Sequence, residues 1–173
     1  MIVRQAVEGD LDRMVELYAA VADEGRWIGA ESPVDTVEVR RRWAEALAAG
    51  HVHLVADAGE LPGVVGQIGI DVAPYGVASI GMLVDADWRR RGVGTALVNA
   101  AVDWARDQGC HKVTLQVWPH NQAARALYRS LGFVEEGVLR RHYPRRNGEL
   151  WDAVVMGLVL DESRPGSSAG TGD

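Results

Sequence analysis

"DADWRRRGVGTALVNAAVDWARDQG", Asp85 to Gly109, is the stretch on which the reading of the fold turns. Arg89, Arg90 and Arg91 stand directly before Gly92-Val93-Gly94-Thr95, and apolar residues recur at Val93, Leu97, Ala100, Ala101 and Trp104. That spacing predicts an amphipathic helix over Gly92–Gln108 with those five residues as its buried stripe. A helix start preceded by glycines aims several unpaired backbone N–H groups at one point, where the helix dipole also favours negative charge. Gly92 and Gly94 let a bulky oxyanion approach the backbone, and the arginines add charge-assisted donors. The stretch reads as a phosphate or pyrophosphate site, and its rival is a solvated basic turn. Two phosphate motifs are excluded. No Lys-Ser or Lys-Thr follows the glycines, so this is not a Walker A loop. The dinucleotide fingerprint needs glycine or alanine where Leu97 stands.

Working outward, strand-like and helix-like periods alternate along the chain. Ile2–Ala6 reads as a strand, and Asp10 then caps a helix with Leu11, Met14, Tyr18 and Val21 on its apolar side. Asp35–Ala49 is a second helix, with Val39, Trp43 and Leu47 on one face and Gly50 as its stop. His51–Ala56, Val64–Val72 and Val77–Val84 are strands. Beyond the central helix, Lys112–Val117 is a strand and Asn121–Leu131 a helix ended by Gly132. Phe133–Tyr143 and Leu150–Leu160 form a final hairpin. The order β-α-α-β-β-β-α-β-α-β-β describes an α/β protein with a mixed sheet and helices on both faces. Residues 1–160 read as one domain, and the Gly/Ser/Pro composition of 161–173 predicts a disordered tail.

Composition narrows the function. The 173 residues carry a net charge of −6, which argues against a general nucleic-acid binder. With one cysteine, Cys110, the chain has no internal disulfide framework and reads as cytoplasmic. The longest apolar run, Ala153–Leu160, is too short to span a bilayer. His51 and His53 alternate on one strand as a metal pair would, but no third ligand follows at useful spacing, so strand-edge residues and no metal are expected.

The arginine–glycine loop, coming directly after the strand Ile80–Val84, resembles the acetyl-CoA loop of the GNAT family of N-acetyltransferases. "PHNQAARALYRSLGF", Pro119 to Phe133, is similar to that family's Asn-x-x-Ala-x-x-x-Tyr helix followed by Leu-Gly-Phe. The closing stretch resembles the branch that acetylates free amino acids and amine antibiotics. The resemblance covers roughly residues 2–160, with its specific motifs between 80 and 133. It implies a mostly antiparallel sheet of about seven strands flanked by four helices, an acyltransferase activity, acetyl-CoA as co-substrate and a homodimer as one assembly. It further implies that the pantetheine arm lies along Met82, Leu83 and Val84, where one N–H stabilises the thioester oxyanion. The pyrophosphate falls on Arg90–Thr95 with Arg89 also at the cofactor, Asn121 faces the cofactor as well as capping its helix, and Gly81 suits a strand that splays or bulges around a ligand. Tyr128 becomes the acid that protonates the departing thiolate, its rival role being a core tyrosine.

The general base stays open. Relatives carry a glutamate on the fourth strand shortly before Met82, where this chain reads Ala78-Ser79-Ile80. Glu31, Asp152, His142 or a chain of waters are the alternatives. Arg140, Arg141, Arg145 and Arg146 concentrate at the final hairpin, and an arginine such as Arg141 there could clamp a substrate carboxylate. Trp27, Trp118 and Trp151 serve equally as pocket walls or core filling. The expected acceptor is a small-molecule amine, an amino acid or related metabolite, reached without nucleic acid or membrane. A peptide or protein N-terminal or lysine acetyltransferase, and a non-catalytic acyl-CoA sensor, are the alternatives.

Overall fold

The computed structural model describes residues 1–59 and 63–160. The expected disordered tail lies outside the described residues. Strand β1 (Ile2–Gln5) is followed by helices α1 (Leu11–Asp23) and α2 (Thr36–Ala48), then by strands β2 (Val52–Asp57), β3 (Val64–Ala73) and β4 (Val77–Val84). Helix α3 (Val93–Asp107), strand β5 (Lys112–Val117), helix α4 (Gln122–Ser130) and strands β6 (Val134–Pro144) and β7 (Leu150–Val159) complete the order. This is the element order and the mixed α/β class expected from the periodicities.

The strands form one sheet in the order β1-β2-β3-β4-β5-β7-β6. Every junction is antiparallel except β4–β5, because α3 carries the chain back to the same end of the sheet before β5 begins. That parallel junction is short. Val77, Ala78 and Ser79 pair with Lys112, Val113 and Thr114, and no further pairs join the two strands. On its other side β4 stays in unbroken register with β3 from Val77 to Val84. Of the two ways Gly81 could admit a ligand, β4 therefore takes the splay and not the bulge.

Alternation along the strands sends side chains to two cores. Leu54, Ile68, Ile80 and Leu115 pack under α3 and α4 with Leu97, Val98, Tyr128 and Phe133. On the opposite face Val55 and Val64 meet Met14, Leu17 and Val21 of α1, with Trp43 of α2 packed against them. Local signals set the helix ends. Asp35 caps α2 by accepting from Glu38 N at 2.9 Å, and the left-handed Gly132 (φ +90°) ends α4.

Two expectations are corrected. Asp10 holds the N-cap position of α1 but its side chain does not cap that helix: it ends a 3₁₀ turn, Glu8–Asp10, and its carboxylate accepts from Arg4 at 2.7 and 2.8 Å and from Val7 N at 2.8 Å. A fork of charge-assisted bonds outweighs one neutral cap donor. The buried stripe of α3 is Val93, Leu97, Val98, Ala101, Val102 and Ala105, with Ala100 and Trp104 at its margin. The final hairpin forms as expected, and its register shifts between Leu139 and Tyr143 so that Arg140, Arg141 and His142 stand in a bulge. Among the described residues, no helix is long and apolar enough to cross a membrane.

Candidate active site

Where β4 and β5 part, the sheet holds a cavity of about 890 Å³. Its walls come from both faces: Met82, Gly94, Leu127 and Tyr128 from the α3/α4 side, and Tyr18, Trp43, His53 and Gln67 from the α1/α2 side. Beyond Ser79, the backbone of β4 that faces the split has no strand partner, so apart from Val84 O, which accepts from Arg89, its hydrogen-bonding groups are open to a ligand.

The expected anion site is the start of α3. Gly92 adopts φ +82° as N-cap and supplies no side-chain cap, and the first intrahelical bond runs from Ala96 N to Gly92 O at 3.0 Å. The N–H groups of Val93, Gly94 and Thr95 are therefore left as the orphan donors of the first turn. Arg90 lines the cavity and holds a left-handed φ of +63°, a conformation that costs a non-glycine residue energy and concentrates at functional sites. Gly94 has a second duty. A Cβ there would stand 3.0 Å from Leu127 Cδ2 and 3.3 Å from Met82 Cε, so its bare Cα lets α3, α4 and β4 converge at the cavity wall.

The three arginines take different roles, which the sequence did not separate. Arg89 reaches the cavity, but its guanidinium is bound by Glu24, Nη1 at 2.8 Å, while Nε donates to Val84 O at 3.2 Å. That guanidinium holds the Glu24 carboxyl below the usual carboxylate range. Arg91 lies over the Trp88 ring, 5.4 Å from its centroid, and is not part of the wall. The Val93 side chain is buried in the core, leaving only its backbone toward the split.

Tyr128 does line the cavity while being buried against Phe133, ring centroids 5.7 Å apart, so the core and cavity readings hold together. Burial pushes its phenol up to about 12, and the group keeps its proton at neutral pH. Asn121 caps α4 by accepting from Ala124 N at 3.1 Å and also borders the cavity.

None of the four expected substrate residues lines the cavity. Glu31 accepts from Arg146 N at 3.0 Å and pairs with Arg145 at 3.4 Å, which ties the loop after α1 to the last hairpin. Asp152 accepts from Arg141 N at 2.7 Å within the bulge, where Arg141 has φ +52° and His142 packs edge-on against Tyr143. Arg145 is buried, 4.4 Å from the Trp151 ring centroid, and donates to Gly29 O at 3.0 Å. Arg146 donates to Ser32 O at 2.6 Å. Stacking and backbone acceptors, invisible in a list of charges, engage these two arginines. Trp27 and Trp118 wall the cavity, whereas Trp151 packs behind Trp118. On the α1/α2 face the reading of single residues reached Trp27 but missed Tyr18, Trp43, His53, Gln67 and Asp71. Their one sequence signal is the polar alternation Gln67–Gly69–Asp71 inside an otherwise apolar strand. Among the described residues no three His, Cys, Asp or Glu side chains gather around a metal position.

Comparison with known proteins places the chain in a family. The model of the acetyltransferase (GNAT) family matches residues 13–133. The [ribosomal protein bS18]-alanine N-acetyltransferase of Escherichia coli (strain K12) is 41% identical over 77 residues, 44% of this chain and 51% of that relative. This chain thus aligns with only about half the length of that protein. The L-methionine sulfoximine/L-methionine sulfone acetyltransferase of Pseudomonas paraeruginosa is 31% identical over 169 residues, 94% of this chain and 96% of the relative. The fold is shared with a phosphinothricin acetyltransferase from Sinorhizobium meliloti solved in complex with acetyl-CoA. There the TM-score is 0.79 at 22% identity, over 93% of this chain and 89% of that one.

Proposed function

The chain belongs to the acetyltransferase (GNAT) family, and on that premise we propose that it transfers the acetyl group of acetyl-CoA to the primary amine of a small molecule. The observation that carries the reading is the junction of an uncapped helix start, an unpaired strand edge and a buried tyrosine on one cavity. The residues suit that co-substrate. Arg90 and the N–H groups of Val93, Gly94 and Thr95 would hold the pyrophosphate, and the free edge of β4 at Met82, Leu83 and Val84 would hold the pantetheine arm. When bound, acetyl-CoA supplies a thioester carbon open to an amine.

Each protein group then has a defined task. A backbone N–H on the β4 edge takes up the charge that develops on the carbonyl oxygen. The Tyr128 hydroxyl gives its proton to the departing sulfur, and the burial that raises this phenol also makes a bare thiolate more basic in the same cavity. The apolar walls at Leu127 and Val117 keep water from competing with the amine.

A small acceptor is supported by the aromatic lining opposite the proposed anion site and by the name of the methionine sulfoximine relative. Arg141 sits in the hairpin bulge and does not line the cavity, so the acceptor reading does not rest on an arginine clamp there. A second reading, acetylation of a peptide N-terminus, is favoured by the name of the ribosomal-protein relative. A thiol-release screen with acetyl-CoA over amino acids, other small amines and an alanine-initiated peptide separates the two. Acetyl-CoA binding without thiol release from any of them points to a sensor. A cytoplasmic setting, expected from cysteine usage, belongs to the same proposal.

A further inference from the structure

The α1/α2 side of the cavity carries a titratable group to which the reading above gives no task. His53 of β2, Gly69 of β3 and Gly81 of β4 are successive cross-strand partners and so stand in one row on one face. A Cβ at Gly69 would lie 3.2 Å from His53 Nε2, which places the imidazole over β3 and along that row. At Gly81 an added Cβ would meet nothing within 4 Å, so the strip from the imidazole to the open edge of β4 is bare. Neighbouring strands are about 4.8 Å apart, so the imidazole over β3 is separated from the backbone of β4 by a gap of about one strand spacing.

The surroundings state what that gap can hold. Trp43 lies 5.4 Å from the imidazole centroid and 5.3 Å from Tyr18, giving an aromatic wall. Gln67 donates to Met14 O at 3.1 Å, and its Oε1 is buried without a partner, an acceptor facing no protein donor. Asp71 is the one carboxylate among the described lining residues, and their cations, Arg89 and Arg90, both belong to the loop before α3.

We propose that this half of the cavity is the acceptor subsite, that it takes a primary amine carried on an aromatic or apolar body, and that His53 Nε2 removes the ammonium proton. The proposal rests on the acetyl-transfer reading and supplies the base missing from β4. The acceptor nitrogen loses two protons overall. The first passes to His53 Nε2 before attack and then to solvent. As the C–N bond forms and the C–S bond breaks, Tyr128 gives its proton to sulfur and is reprotonated by the second. Amide, free thiol and one released proton balance the ammonium and thioester consumed.

Burial lowers His53 below the ordinary histidine range against the opposing pull of Asp71, so the imidazole is neutral and able to accept at pH 7. The other groups around it leave that state in place. His51 stands 3.6 Å from Asp71, Arg42 of α2 acts on Tyr18, and burial raises the Tyr18 phenol and keeps it neutral. From β4 the row offers only Ser79 and Gly81, which do not titrate.

Benzylamine and phenylhydrazine test the proposal, since they have nearly the same shape but only the first is protonated at neutral pH. The wild type is expected to acetylate both, with an acidic limb in kcat/KM for benzylamine below pH about 6.5. In His53→Gln, benzylamine turnover should fall about 10²–10⁴-fold and recover as pH rises toward the amine's own pKa, while phenylhydrazine turnover stays within a few fold. Equal losses for both amines, or an unchanged pH profile, would overturn the role of His53. Failure of an acetyl-CoA-binding wild type to acetylate either amine would overturn the aromatic subsite. Failure of calorimetry to detect acetyl-CoA binding at all would remove the acetyl-transfer reading beneath it.

Discussion

Gly94→Ala separates the two duties of that glycine. The new methyl would stand 3.0 Å from Leu127 Cδ2 and 3.3 Å from Met82 Cε, where carbon pairs prefer about 3.5–4.0 Å. Both obstructing atoms are ends of flexible side chains, so each withdraws by a few tenths of an ångström at about 0.5–1.5 kcal/mol. Replacing glycine by alanine in a helix returns about 0.5–1 kcal/mol. The net change is a destabilisation of about 0–2.5 kcal/mol, which a chain of this size tolerates. Binding should suffer more. If the Gly94 N–H is a pyrophosphate donor, crowding it loses one hydrogen bond to a charged group, about 1.5–3 kcal/mol, or roughly 10- to 150-fold in Kd. Calorimetric titration with acetyl-CoA and urea unfolding on the same preparation read the two effects separately. Wild-type affinity in a variant that has lost stability would refute the cofactor role and leave Gly94 as a packing residue alone.

Tyr128→Phe should lower turnover about 10²–10⁴-fold and leave acetyl-CoA affinity nearly unchanged, as steady-state rates and calorimetry would show. In the wild type the tyrosinate absorption of this residue should appear only near pH 12, and a tyrosine that ionises at the ordinary pH of about 10 contradicts its burial. Asp10→Asn should cost about 1–3 kcal/mol in urea unfolding by breaking the fork to Arg4. Because the fork lowers the Asp10 carboxyl, its contribution is present above pH about 4 and disappears as pH falls through the lowered folded value. The variant should therefore show a smaller acid-induced loss of stability than the wild type. Asn121→Ala removes the cap on α4 and should lower stability by about 1 kcal/mol, with faster amide exchange at Ala124.

What the sequence made legible was written in local signals. Gly92, Asn121 and Gly132 mark helix ends through the conformations and caps they favour, and the two motifs they belong to carry the proposed anion site and Tyr128. What it hid depends on residues far apart in the chain. Arg89 reads as a free cation until Glu24, 65 positions away, is brought onto it. Arg145 reads as hairpin charge until Trp151 and Glu31 enclose it. His53 acquires a direction only when the registers of β2, β3 and β4 line up two glycines beside it. Asp10 went wrong in the opposite way, since its local pattern suggested a cap and the Arg4 guanidinium six residues earlier took the carboxylate.

The parting of β4 from β5 after three residue pairs also bears on the order of events. It leaves a passage through the sheet, walled on one side by α3 and α4 and on the other by α1 and α2. Two molecules entering such a passage from opposite ends meet in the middle, and neither has to leave before the other arrives. The acyl group then never needs to be parked on the protein. Cys110, the sole cysteine and the natural carrier for such a step, is packed in the core away from this wall. Rates measured against both substrates should accordingly give intersecting double-reciprocal lines, where a relay through an acylated enzyme gives parallel ones.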